Sequence, residues 1–172
     1  MGAAASPAII GGVYPTERHP DLDLAMMRLA LQAAGEAADR GEVPVGAVVA
    51  RGGEVLAVAS NEREATGDPT AHAELLALRR AASALGGWRL TGCTLYSTLE
   101  PCPMCAGAAW AARISQLVYA TPDPKAGYAG TLHDTLSDHR LNHTAPVRSG
   151  LLAEEAAALL RGFFRGRRLK ES

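Results

Sequence analysis

His72, Glu74, Cys102 and Cys105 are the residues of this chain whose types and spacing could do chemistry together. One imidazole and two thiolates make a ligand set that Zn2+ prefers, and three protein ligands leave a tetrahedral ion its fourth position for water. An open position belongs to a catalytic site. Glu74 carries a carboxylate close to the histidine, able to take a proton from that water without occupying the metal.

A lone C-x-x-C fits a redox pair or a structural zinc knuckle, and a lone H-x-E is almost uninformative. The combination of H-x-E with P-C-x-x-C is the zinc-deaminase signature. A structural site would need a fourth Cys or His. The remaining cysteine, Cys93, opens the apolar run Thr94-Leu95-Tyr96 and reads as a small buried core residue.

Prolines mark how these groups would be positioned. Pro69 suits the first position of a helix capped by Asp68, and Pro103 suits a helix capped by Cys102. Both motifs are thereby expected at helix N-termini, where a metal just beyond the helix end is reachable from any side of the first turn. The positive end of the second helix favours thiolate over thiol.

With 172 residues, 48% of them hydrophobic, the chain is long enough for one compact domain with a real core. Its apolar segments are short and interrupted by charge, so no membrane span is expected. Three cysteines, two of them claimed by the metal motif, leave no disulfide framework, and a cytoplasmic location is expected. Residues 1–20, rich in Gly, Ala and Pro, read as a flexible N-terminal extension, with residues 21–172 forming a single zinc-dependent domain.

From Asp21, apolar residues Leu24, Met27, Leu31 and Ala34 recur at helical spacing to about Arg40-Gly41. The run Val43 to Ala50 is β-branched and reads as a strand. Arg51-Gly52-Gly53-Glu54 then turns it into a second strand, Val55 to Ala59, ended by Asn61. A helix is expected from about Pro69 to Leu85, closed by Gly86-Gly87, then strand 93–99, a helix from Pro103 to about Ala112, and strand Gln116 to Tyr119. This alternation predicts an α/β fold: a three-layer sandwich with a mixed sheet of about five strands, one antiparallel hairpin joined to parallel crossovers, and helices on both faces. Both metal motifs then fall at strand-to-helix junctions on one edge of the sheet.

After Thr121 a long stretch with Asp123, Lys125, Gly127, Gly130 and His133 reads as a substrate border. Val147 is expected to add a short strand, and a last helix to start at about Leu152. It ends in a basic tail: of 17 Lys+Arg, five lie from Arg161 to Lys170, interleaved with Phe163 and Phe164, in a chain of net charge −1. The tail fits phosphate contacts and base stacking with a nucleic acid, and equally a solvated helix end whose cations complement the dipole.

The chain closely resembles the bacterial tRNA-specific adenosine deaminases, which convert the wobble adenosine of a tRNA anticodon to inosine. The resemblance runs from about Met27-Arg28 to Arg168 and includes Gly41 to Val48, Asp68 to Glu74, Trp88-Arg89-Leu90, Thr98 to Ala108, Ala112-Arg113-Ile114, Leu141-Asn142-His143 and Phe163-Phe164-Arg165. It implies a cytidine deaminase-like fold, one zinc per subunit on His72, Cys102 and Cys105, and Glu74 as proton shuttle. It also implies that Asn61 hydrogen-bonds the flipped base. Lys125, Phe163, Phe164, Arg165, Arg167 and Arg168 match regions that meet the anticodon loop in relatives. A homodimer is implied as well, each site bordered by the neighbouring subunit. Tyr128 stands where relatives mostly carry a small residue, and it is expected either to stack on an RNA base or to cover apolar surface.

The expected reaction is hydrolytic deamination by zinc-activated hydroxide at C6 of adenine. Two rivals are a small-molecule deaminase of guanine, cytosine or a nucleoside, and a non-catalytic zinc-folded RNA-binding subunit. The basic tail argues against the first, since a free base offers no phosphates. Glu74 argues against the second, since binding alone has no use for it.

Overall fold

The computed structural model describes residues 20–171, with side chains to Leu169. All but the last residue of the expected N-terminal extension lies outside the described residues. That residue, Pro20, opens the first helix, α1 (Pro20–Asp39), as suits a residue whose fixed φ is pre-set for a first turn.

The face that α1 buries is centred on Met27, Ala30 and Ala34, with Met26, Ala33 and Ala37 beside them. Leu24 and Leu31, expected at its centre, are only half-buried at its rim. The alanines let helix and sheet approach closely. Gly46 faces them: a Cβ there would collide with the Ala30 carbonyl and stand 2.8 Å from the Ala34 nitrogen. Only glycine fits this contact.

Strand β1 (Gly46–Arg51) starts after Pro44 and runs through Gly52-Gly53 into β2 (Glu54–Ser60). Both glycines have positive φ, 55° and 87°, and Arg51 pairs with Glu54 across them. This is the expected two-residue hairpin. A short helix α2 (Arg63–Thr66) ends at Gly67 in the left-handed region and precedes α3 (Ala73–Leu85). Then follow β3 (Cys93–Leu99), α4 (Pro103–Ala111), β4 (Gln116–Thr121), a long segment, β5 (Val147–Ser149) and α5 (Ala153–Glu171).

The five strands lie in the order β2-β1-β3-β4-β5. β3 pairs with β4, and β4 with β5, in parallel. β3 meets β1 rather than β2, so the sheet contains a second antiparallel pair, β1 with β3, besides the hairpin. The crossover through α3 returns parallel to β2 but steps over β1, a placement that element order alone does not specify.

Side chains of the central strands alternate between two cores. Ala47, Val49, Leu95, Leu117 and Tyr119 pack with Ala77, Leu78 and Ala81 of α3 and Ala109 of α4. Val48, Ala50, Tyr96, Val118 and Ala120 pack with Met26, Met27 and Ala30 of α1 and Ala156 of α5. The result is a three-layer α/β sandwich, as expected. A polar triad, buried at Asp23 and Tyr96 and half-buried at Arg148, joins its layers: Asp23 of α1 accepts from the Tyr96 hydroxyl at 2.7 Å and from Arg148 of β5 at 2.5 Å. Among the described residues, no helix is long and apolar enough to cross a membrane.

Candidate active site and metal centre

Two helix N-termini converge on one point. Cys102 is the N-cap of α4, with Pro103 at its first position, as expected. The other helix starts later than Pro69, because Asp68 caps a turn instead: its Oδ1 accepts from the Thr70 backbone N–H at 2.8 Å and the Thr70 hydroxyl at 2.7 Å. Ala71 N–H then donates to the Asp68 carbonyl and His72 N–H to the Thr70 carbonyl. These bonds hold residues 68–72 out of the helix, and His72 itself is the extended N-cap of α3 (φ −78°, ψ 148°).

An N-cap side chain ordinarily bonds a first-turn N–H. Neither His72 nor Cys102 makes such a bond, so the imidazole and the thiolate remain available beyond the helix ends. His72 Nδ1 stands 3.6 Å from Cys102 Sγ and 3.6 Å from Cys105 Sγ. Ligand atoms at ordinary zinc–sulfur and zinc–nitrogen distances on a tetrahedral ion are about 3.5 Å apart. All three atoms lie within 4.8 Å of one another, and the trio can hold a metal ion. The donor set and its spacing fit zinc.

The electrostatics suit metal and proton transfer. The Cys102 thiol is lowered to about 4, first by a hydrogen bond from Cys105 and then by His72, while Cys105 is raised by keeping the shared proton. The cluster thus favours a thiolate at Cys102, the form that binds metal. Glu74, in the first turn of α3 and 4% exposed, has its carboxyl pushed up to about 7, chiefly by burial and further by the Cys102 thiolate. A carboxyl titrating near neutrality is matched to both taking and giving a proton.

Asn61 is tied to the His72 segment through the backbone. It follows β2, its N–H donates to the Val45 carbonyl, and the next residue's N–H donates to the carbonyl of Ala71, the neighbour of His72. The Asn61 side chain donates from Nδ2 to Glu42 Oε2 at 3.1 Å, and Glu42 Oε1 accepts the Ala65 N–H at 2.8 Å. Both Glu42 and Asn61 are buried. Glu42 drew no role from sequence reasoning beyond membership of a motif block. Its signal was a charge between Gly41 and the apolar Val43-Pro44-Val45, beside a turn.

Lys125 is exposed on the segment after β4, which is joined to the cysteine-bearing turn by Tyr128 N–H donating to the Pro101 carbonyl at 2.9 Å. Tyr128 is half-buried, its ring 5.4 Å from that of His133. The tail residues are placed by α5, which packs on α1, β3 and β4. Phe163 lines a groove of about 550 Å3 with Ala38, Ala158 and Leu159, none of them a metal-motif residue. Phe164 is 43% exposed, set edge-on to Phe163, and Arg165, Arg167 and Arg168 are exposed.

This arrangement has close counterparts. The MafB19-like deaminase family matches residues 22–168. The tRNA-specific adenosine deaminase of Bacillus subtilis (strain 168) is 49% identical over 145 residues, covering 84% of this chain and 90% of that protein. The chain belongs to the tRNA-specific adenosine deaminase family. A solved structure from studies of A-to-I editing by tRNA:A34 deaminases at the wobble position is 44% identical, with a TM-score of 0.76 over 79% of this chain and 99% of that one. The tRNA(Ile)-lysidine synthase of Deinococcus deserti is 51% identical over 153 residues, which are 87% of this chain but only 28% of that protein. This deaminase unit therefore also has a counterpart inside a much longer protein.

Proposed function

We propose that this chain converts the wobble adenosine of a tRNA anticodon loop to inosine by zinc-dependent hydrolysis. The observation that carries the reading is the trio of His72, Cys102 and Cys105 at zinc-ligand separations, with the buried Glu74, its carboxyl pushed up to about 7, beside it. Held by those three residues, zinc supplies the Lewis acidity that makes water an effective nucleophile near neutral pH.

The protein's own groups do the rest. Glu74 takes a proton from the water whose oxygen bonds to C6 of adenine and delivers it to N1. A second proton, from the new C6 hydroxyl, passes through Glu74 to the amino nitrogen, which leaves as ammonia. Inosine keeps the oxygen at C6 and the proton at N1. Asn61, held by Glu42, is the residue proposed to bind the base edge. An anticodon loop is already partly unstacked, so turning its base into the site costs little compared with a duplex.

Lys125 and Phe163, Phe164, Arg165, Arg167 and Arg168 are proposed to meet the loop backbone and bases, with exposure of the α5 arginines in support. Residues 21–172 are read as one deaminase domain, supported by a single sheet between two cores. A homodimer and a cytoplasmic location are proposed as well, supported by the likeness to tRNA-specific adenosine deaminases.

The test is inosine formation at the wobble position of transcribed tRNAs, with free guanine and cytosine assayed beside them. Inosine in tRNA and no product from the free bases is expected. Deamination of a free base alone would transfer the reading to a small-molecule deaminase.

A further inference from the structure

Glu100 immediately precedes Pro101-Cys102, and its side chain is 1% exposed. Its carboxylate is a point of convergence for the segment after β4. Oε2 accepts the Asp123 N–H at 3.0 Å and the Thr131 hydroxyl at 2.5 Å, and Oε1 accepts the Ala129 and Thr131 N–H groups, each at 3.0 Å. Four donors on one side chain match the acceptor capacity of a carboxylate, and no other side chain offers as many sites without a donor of its own.

The rest of the segment is built around this point. Asp123 Oδ1 accepts the Lys125 and Ala126 N–H groups, and Gly127 N–H donates to the Asp123 carbonyl. Gly127 lies so near Glu100 that a Cβ there would collide with the carboxylate, and it would stand 2.6 Å from the Asp123 carbonyl oxygen. On either side of the carboxylate, backbone bonds continue the junction: Glu100 N–H to the Thr121 carbonyl and Tyr128 N–H to the Pro101 carbonyl, both 2.9 Å.

We infer that Glu100 is a positioning residue for the deamination, stapling segment 122–131, with Lys125 and Tyr128, to the turn that carries Cys102. The inference rests on the proposed reading of the site as a tRNA deaminase. The carboxylate sets the distance between the metal-bearing turn and the surface that faces the RNA, so its loss weakens the grip on substrate while the chemistry persists.

Replacement by glutamine has a specific expected consequence. The two backbone N–H groups on Oε1 cannot reverse polarity, whereas the Thr131 hydroxyl on the other side can turn to accept. The new amide NH2 must therefore occupy the Oε2 side, where it faces the Asp123 N–H and leaves it without an acceptor. In zinc-loaded Glu100→Gln, hydrogen exchange should speed at the Asp123 amide while those of Ala129 and Thr131 stay protected. With an anticodon stem-loop RNA, KM should rise about tenfold, the weight of a lost charge-assisted hydrogen bond, while kcat and zinc content hold. Thr131→Val, which removes only the hydroxyl donor, should raise KM in the same direction by less.

Loss of zinc, a fall in kcat at unchanged KM, or unchanged kinetics despite lost Asp123 protection would overturn the assignment. If Glu100→Gln does not fold, Thr131→Val decides it: a raised KM supports the staple and an unchanged KM refutes it. Hydrogen exchange needs no substrate. A wild-type protein that makes no inosine would therefore refute the proposed function separately.

Discussion

Asn61 donates its side-chain N–H to Glu42 across 3.1 Å, and the two buried residues are 19 positions apart in sequence. A carboxylate accepts and cannot donate, so the bond decides which end of the Asn61 amide turns toward Glu42. The opposite end is then presented in a fixed orientation. Glu42→Ala should strand a buried donor and cost about 1–3 kcal/mol of stability. In a double-mutant cycle with Asn61→Ala, denaturant unfolding should show coupling of at least about 0.5 kcal/mol, the lower range for residues in one network. Additive effects would mean that Glu42 does not orient Asn61.

Metal binding should depend on all three proposed ligands. His72→Ala, Cys102→Ser and Cys105→Ser are each expected to purify without stoichiometric zinc and to melt lower, because the trio ties the N-termini of α3 and α4 together. Metal analysis of the purified variants checks this, and full zinc occupancy in all three would refute the ligand set.

Much of this site is legible in the sequence because its signals are local. H-x-E, P-C-x-x-C, Pro103 at a first helical position and Gly52-Gly53 in a two-residue hairpin each act within a few residues. What is not legible depends on partners far along the chain. Asp23, Glu42 and Glu100 are charges set among apolar neighbours, and their burial makes sense only with Tyr96 and Arg148, Asn61, or the segment after β4 in place. The later start of α3 has the same character: Pro69 permits a helix, but the Asp68 side chain binds Thr70 in a turn first. The antiparallel pairing of β1 with β3 is likewise a choice of neighbour that periodicity leaves open.

The triad of Asp23, Tyr96 and Arg148 should show in alkaline stability. Burial raises the Tyr96 hydroxyl above its ordinary value of 10.0, and its bond to Asp23 raises it further. The folded state therefore keeps a proton that the unfolded chain has released. The contribution is fully present below the unfolded value, and it is lost as pH rises from there toward the folded one. Tyr96→Phe should be less stable than wild type at neutral pH, with the gap narrowing above pH of about 10. Urea midpoints of both proteins across that range measure it, and a constant gap would contradict the assigned proton.

The central claim is that Glu74 moves the protons of a hydrolytic deamination. It is tested most directly by single-turnover inosine formation on an anticodon stem-loop RNA by zinc-loaded Glu74→Gln beside wild type. The amide keeps the shape of the side chain but cannot carry the proton, and a positioned proton-transfer group is typically worth about 10²–10⁴ in rate. The expected result is retained zinc and RNA binding with a loss at or beyond the upper end of that range. A Glu74→Gln rate above roughly a tenth of wild type, less than the smallest typical loss for such a group, would contradict the mechanism even with the metal site confirmed.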